Sequence, residues 1–164
     1  MSPIARIAEL LDSAGTFWPA ALTARRALDH VHIESLTERE ERLLALAEEL
    51  GPQPSLMLRS QMWVYIALAF LSFASNRALT LGARRASLAA AIALASNTIV
   101  TLRENMGLNE KLREMVGLDP ELGPLVIRVV TGRPAGTIYA IDRLLDEPEW
   151  ADQRAAEETK PTSE

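Results

Sequence analysis

Two stretches of 17 residues without a charged side chain, Ser60 to Asn76 and Ala86 to Leu102, dominate this chain. Arg59 and Arg77 flank the first; Arg84, Arg85 and Arg103 flank the second. Uncharged runs of this length must be hidden from water over most of their surface, so the rest of the chain either covers them or leaves them to lipid. The connection RALTLGARR is short and contains Gly82, which predicts two helices returning antiparallel on each other. Their textures differ. The first run is bulky on every side, with Trp63, Tyr65, Ile66, Phe70 and Phe73. The second, with SLAAAIALAS at its heart, is mostly Ala and lets another helix approach its backbone closely.

A helix of 17 residues rises about 26 Å, against a hydrocarbon thickness of about 30 Å. Both runs are short for a bilayer, and the second gains little from lipid because Ala dominates it and Asn97 falls inside it. The expected fold class is therefore all-α: a helical bundle built around a central antiparallel hydrophobic hairpin, about 60–76 and 86–102. Membrane insertion of that hairpin is the competing arrangement.

Helices to cover the hairpin are legible elsewhere. Ile4, Ile7, Ala8 and Leu11 follow the 3.6-residue period, and Pro19 to Leu28 forms a further short helix. In ESLTEREERLLALAEELG, Ser35 and Glu38 have the spacing of a capping box, an apolar stripe follows from Leu43 to Leu50, and Gly51 closes the helix. Glu38, Glu40, Glu41, Glu48 and Glu49 read as a solvated face. NEKLREMVG predicts a short helix closed by Gly117, and Asp119 with Pro120 predicts the start of another. In LVIRVVTGRPAGTIYAI, β-branched residues cluster around a turn-like TGRPAG, so a short β-hairpin near 125–141 stands as the alternative to two helices.

A chain of 164 residues is one ordinary domain. Residues 1–147 are read as that domain, and 148–164 as an acidic tail expected to be disordered. From Asp146 onward seven carboxylates face only Arg154 and Lys160, whereas residues 1–145 carry 15 acidic and 15 basic groups. There is no basic excess for phosphate contacts, so nucleic acid is not an expected partner. The absence of cysteine removes thiolate metal sites, disulfides and thiol nucleophiles. Arg6, Glu9 and Asp12 interrupt the apolar run that a cleavable signal would need, and a cytoplasmic location is expected, with the membrane as the alternative.

No phosphate-cradling glycine motif and no nucleophile elbow occurs, so no cofactor is expected and the sequence leans away from an enzyme without deciding it. Two sets of residues still carry chemistry. In an extended segment, His30, His32 and Glu34 would project from one face at a spacing that can chelate a metal. Within the hairpin, Trp63, Tyr65 and Asn97 are the polar or amphipathic handles for an apolar ligand held between the two helices. The leading functional expectation is a non-catalytic binding or regulatory module that acts through an apolar helical surface, with a protein partner or as a homo-oligomer. The alternatives are a membrane-associated protein anchored by residues 60–102, and a helical protein holding a small apolar ligand.

Overall fold

The computed structural model describes residues 1–13, 19–52 and 55–147, and every regular element among them is a helix. In chain order these are α1 (Pro3–Asp12), α2 (Pro19–Leu28), α3 (Glu38–Leu50), α4 (Leu56–Ala74), α5 (Leu81–Ser96), α6 (Val100–Asn105), α7 (Leu108–Glu114), α8 (Gly123–Val130) and α9 (Thr137–Asp146). The acidic stretch 148–164 lies outside the described residues.

The two uncharged runs become the centre of the fold. α4 and α5 form the most extensively packed pair, joined by residues 75–80, and Arg84 Nε closes the joint by donating to the Ala74 carbonyl at 2.9 Å. α5 is also packed by α2, α8 and α9, and every residue from Ala86 to Ala95 is buried. Alanine makes this crowding feasible, because a helix with small side chains presents its backbone to several neighbours at once. α2 answers in kind with Ala20, Ala21, Ala24 and Ala27, all buried. α3 lies on α4, and α1 packs on α2 and α3. One buried apolar cluster takes in Ile7 of α1, Phe70 of α4, Ile92 of α5 and Ile141 of α9.

The second run is not a single helix. α5 ends at Ser96, Asn97 is its C-cap, and α6 starts at Val100. The run lacks charge but not stop signals: Ser96 Oγ donates to the Ala93 carbonyl and Thr98 Oγ1 to that of Ala95, offering the backbone an alternative to the helical ladder. The break is held by Arg103, only 1% exposed. Its Nη1 donates to the carbonyls of Ala95 and Thr98 at 3.0 and 3.2 Å, its Nη2 to Val129 at 2.8 Å and its Nε to Asn109 Oδ1 at 3.0 Å. One guanidinium thus satisfies acceptors at the ends of α5 and α8 while tying both to α7.

Two local expectations are corrected and one alternative is decided. The capping box of α3 is Thr37 with Glu40, not Ser35 with Glu38. Asp119 does not cap a helix: it lies in the turn before α8, accepts from the Glu121 amide, and pairs with Arg85 at 2.6 Å. The β-hairpin alternative at 125–141 gives way to α8 and α9. Leu125, Val126, Val129 and Val130 fall on one helical face and are buried, while Pro124 and Ile127 are exposed. A helix places that face against α5 and α7, whereas two strands alone would have had no sheet to join.

Charged pairs fasten the outer helices. Arg6 of α1 bonds Glu41 and Glu48 of α3, and Arg26 of α2 pairs with Asp142 and Asp146 of α9. Arg85 reaches Asp119 and Glu121 ahead of α8.

Candidate functional site

Two of the concave regions among the described residues combine apolar walls with charges at their edges. The larger is a groove of about 880 Å³ between α1 and the segment from the end of α2 to Glu34. Its shape follows from α1, whose inner face (Ile7, Leu10 and Leu11) is committed to the core, leaving Ile4 and Ala8 half-buried along its side. Across from them, residues 31–37 carry no helix. Val31 is buried and Ile33 half-buried, so the groove has an apolar floor packed on the core beneath.

The rim is acidic. Glu9 and Asp12 border it from α1, with Asp29 and Glu34 from the other side. Arg25 is the single arginine in the lining; it is shared by Asp12 at 3.4 Å and Asp29 at 3.1 Å. Glu9 and Glu34 form no ion pair among the described residues. His32 also lines the groove, exposed to solvent.

The smaller region is a cleft of about 140 Å³ between α3, the last turns of α4, and α7. Leu68, Leu71 and Met115 give it apolar walls, and Ser72 and Ser75 present hydroxyls. Arg39, Lys111 and Glu114 stand at its edge. Behind Ser72 lies Glu40, 4% exposed. One Glu40 oxygen accepts from the Thr37 amide at 3.0 Å, completing the capping box, and the other accepts from Ser72 Oγ. Glu40 therefore belongs to the interior and not to the solvated face expected of its helix.

The structure disperses the residues singled out in the hairpin. Trp63 is a core side chain, 2% exposed. Tyr65 is half-buried, its hydroxyl accepting from Gln61 Nε2 at 3.0 Å. Asn97 sits at the end of α5 as a cap. None of the three lines the groove or the cleft. His30, His32 and Glu34 fare differently. His32 and Glu34 both border the groove, while His30 belongs to the turn after α2 and does not. Among the described residues, no three His, Asp or Glu side chains gather so as to hold a metal ion.

The cleft escaped sequence reasoning because Ser72 and Ser75 were the least conspicuous part of an apolar run. The available signal was spacing: Gln61, Tyr65 and Ser72 recur at four and seven residues, a polar stripe on an otherwise apolar helix. No family model, characterised protein or solved structure matches this chain.

Proposed function

We propose that this chain is a non-catalytic helical binding module that docks a basic amphipathic segment of a partner protein in the groove between α1 and residues 28–34. The observation that carries the reading is the pairing of an apolar floor, Ile4, Ala8, Val31 and Ile33, with a rim in which Glu9 and Glu34 have no cation among the described residues. A docked segment with one apolar face would cover the floor and set Lys or Arg against those carboxylates. The groove follows the whole of α1, about 15 Å at 1.5 Å per residue, a shape suited to two or three turns of helix. The excess of carboxylates would steer a basic segment and repel an acidic one. A second copy of the chain offering such a segment would give a homo-oligomer by the same chemistry.

The test uses a designed amphipathic peptide, apolar on one face and lysine-rich on the other, titrated into the full chain and followed by backbone amide NMR. Shifts at Ile4, Ala8, Val31 and Ile33 that weaken with added salt, and that are lost in Glu9→Lys/Glu34→Lys, are expected. An acidic peptide of the same apolar face should produce none. Shifts gathered elsewhere, or unchanged by the charge reversal, would overturn the proposal. Concentration-dependent sedimentation abolished by the same reversal would identify the partner as a second copy.

A membrane-anchored reading has one observation in its favour. α4 has 19 residues and a mean hydropathy of 1.4 over its most apolar window. We favour α4 as a core helix of the fold and not a span, because 61% of that window is buried by the protein itself and α5, at 16 residues, is shorter than a span requires. Retention of the full chain in membrane pellets after alkaline carbonate washing would reverse that choice.

A further inference from the structure

We propose that the cleft between α3, α4 and α7 binds a small zwitterionic amino acid with an aliphatic side chain. The argument starts from which hydrogen-bonding capacity is left over. Ser72 Oγ spends its proton on Glu40, and Ser75 Oγ spends its own on the Leu71 carbonyl at 3.0 Å. A hydroxyl has one proton and two lone pairs, so each serine can meet a ligand only as an acceptor. The cleft also lies at the C-terminal end of α4, where the helix dipole is negative, and Glu114 stands at its edge. These groups ask for an ammonium.

Two further groups ask for a carboxylate. Arg39 and Lys111 both line the cleft, and neither forms an ion pair among the described residues. Guanidinium and ammonium groups are donors only. A simple anion would satisfy them but would leave both hydroxyls, Glu114 and the helix end facing like charge or lone pairs. A simple cation would have the converse problem. A molecule carrying both an ammonium and a carboxylate answers both sets of groups at once.

Size and polarity narrow the class. Cavities of roughly 150 Å³ hold a benzene-sized molecule, so about 140 Å³ suits an amino acid of the dimensions of alanine to valine. Leu68, Leu71 and Met115 supply the apolar wall for its side chain. Glu40, held by Thr37 and Ser72 from the far side, fixes the orientation of the Ser72 hydroxyl. The site shares no lining residue with the α1 groove, so its fate is separate from that of the docking proposal.

The experiment is an amide NMR titration of the full chain with glycine, L-alanine and L-valine, alongside valinamide and isovalerate, which lack the carboxylate and the ammonium respectively. Shifts at Leu68, Ser72, Ser75 and Met115 are expected with alanine and valine, at least tenfold weaker with valinamide or isovalerate. Lys111→Met and Ser75→Ala, both at the edge of the fold, should weaken valine binding tenfold or more while leaving the spectrum away from the cleft unchanged. Absence of shifts with all three amino acids would overturn the proposal. Binding of isovalerate or inorganic phosphate as tight as that of valine would also overturn it, replacing the site with an anion site.

Discussion

The guanidinium of Arg103 donates through Nη2 to the carbonyl of Val129 at 2.8 Å, joining the end of α6 to the end of α8 in the interior of the protein. No carboxylate pairs with this buried cation among the described residues. Burial pushes the Arg103 guanidinium below its ordinary value, partly offset by the charge of Glu104. Its compensation comes from dipoles: three backbone carbonyls and the Asn109 amide oxygen.

Arg103→Met removes the donors and keeps much of the apolar stem. The acceptors left behind are buried, and each unsatisfied buried group costs about 1–3 kcal/mol. A loss of about 3 kcal/mol or more is expected, or a fall in Tm of roughly 6–12 °C for a chain of this size. Arg103→Lys should also destabilise, because a compact ammonium cannot span acceptors on three helices as a planar fork does. A Met variant melting within a degree of the parent would refute the role assigned to Arg103.

Gly123 opens α8 against the chain just before it. A Cβ placed there would meet the Val116 carbonyl oxygen at 2.5 Å. The obstacle is backbone and cannot swing aside, so Gly123→Ala should cost about 1–3 kcal/mol even though alanine is the better helix former. Urea unfolding would show it as a lower midpoint with an unchanged slope. Equal or greater stability in the Ala variant would mean that α8 can slide away from Val116.

The clamp between α1 and α3 should weaken in acid. Arg6 bonds both oxygens of Glu48, at 2.6 and 3.1 Å, and Glu41 at 2.6 Å. The hydrogen bonds from Arg6 hold the Glu48 carboxyl below its ordinary value of 4.5, against a smaller opposing effect of burial. A carboxyl lowered by folding stabilises the native state above its unfolded value and loses that contribution as pH falls through the folded one. Glu48 is 38% exposed, so the clamp is screened and is worth about 1 kcal/mol or less. Arg6→Met should therefore be slightly less stable than the parent at neutral pH, with the two converging below the ordinary carboxyl range. In a carboxyl NMR titration, Glu48 should return toward its ordinary value in the variant. A stability difference independent of pH would show that packing of the Arg6 stem, and not its charge, holds α1.

Several elements were readable from local pattern because the forces that set them are local. Pro19 begins α2 and the apolar spacing of Ile4, Ile7 and Leu11 describes α1, as the structure bears out. Local pattern does not distinguish two capping boxes for α3, because Ser35 and Thr37 both precede a glutamate at the right distance. The choice between them lies with Glu40, whose second oxygen is met by Ser72 from another helix. The β-branched cluster at 125–130 admitted a hairpin beside the preferred helices; the helices form, since β propensity expresses fit to a half-buried surface and no sheet exists among the described residues to provide one.

The sequence by itself determined the all-helical class and which apolar runs had to be covered, because hydrophobic periodicity and helix punctuation act within a few residues of each other. Tertiary structure decided that Arg103 would fasten the break near Asn97 to Val129, that Glu40 would turn inward onto Ser72, and that Ser72 and Ser75 would line one cleft with Arg39 and Lys111. The first two outcomes depend on a polar group finding a partner far along the chain, and the third on how the helices pack. Burial makes such a partner obligatory, and no local pattern announces which residue it will be.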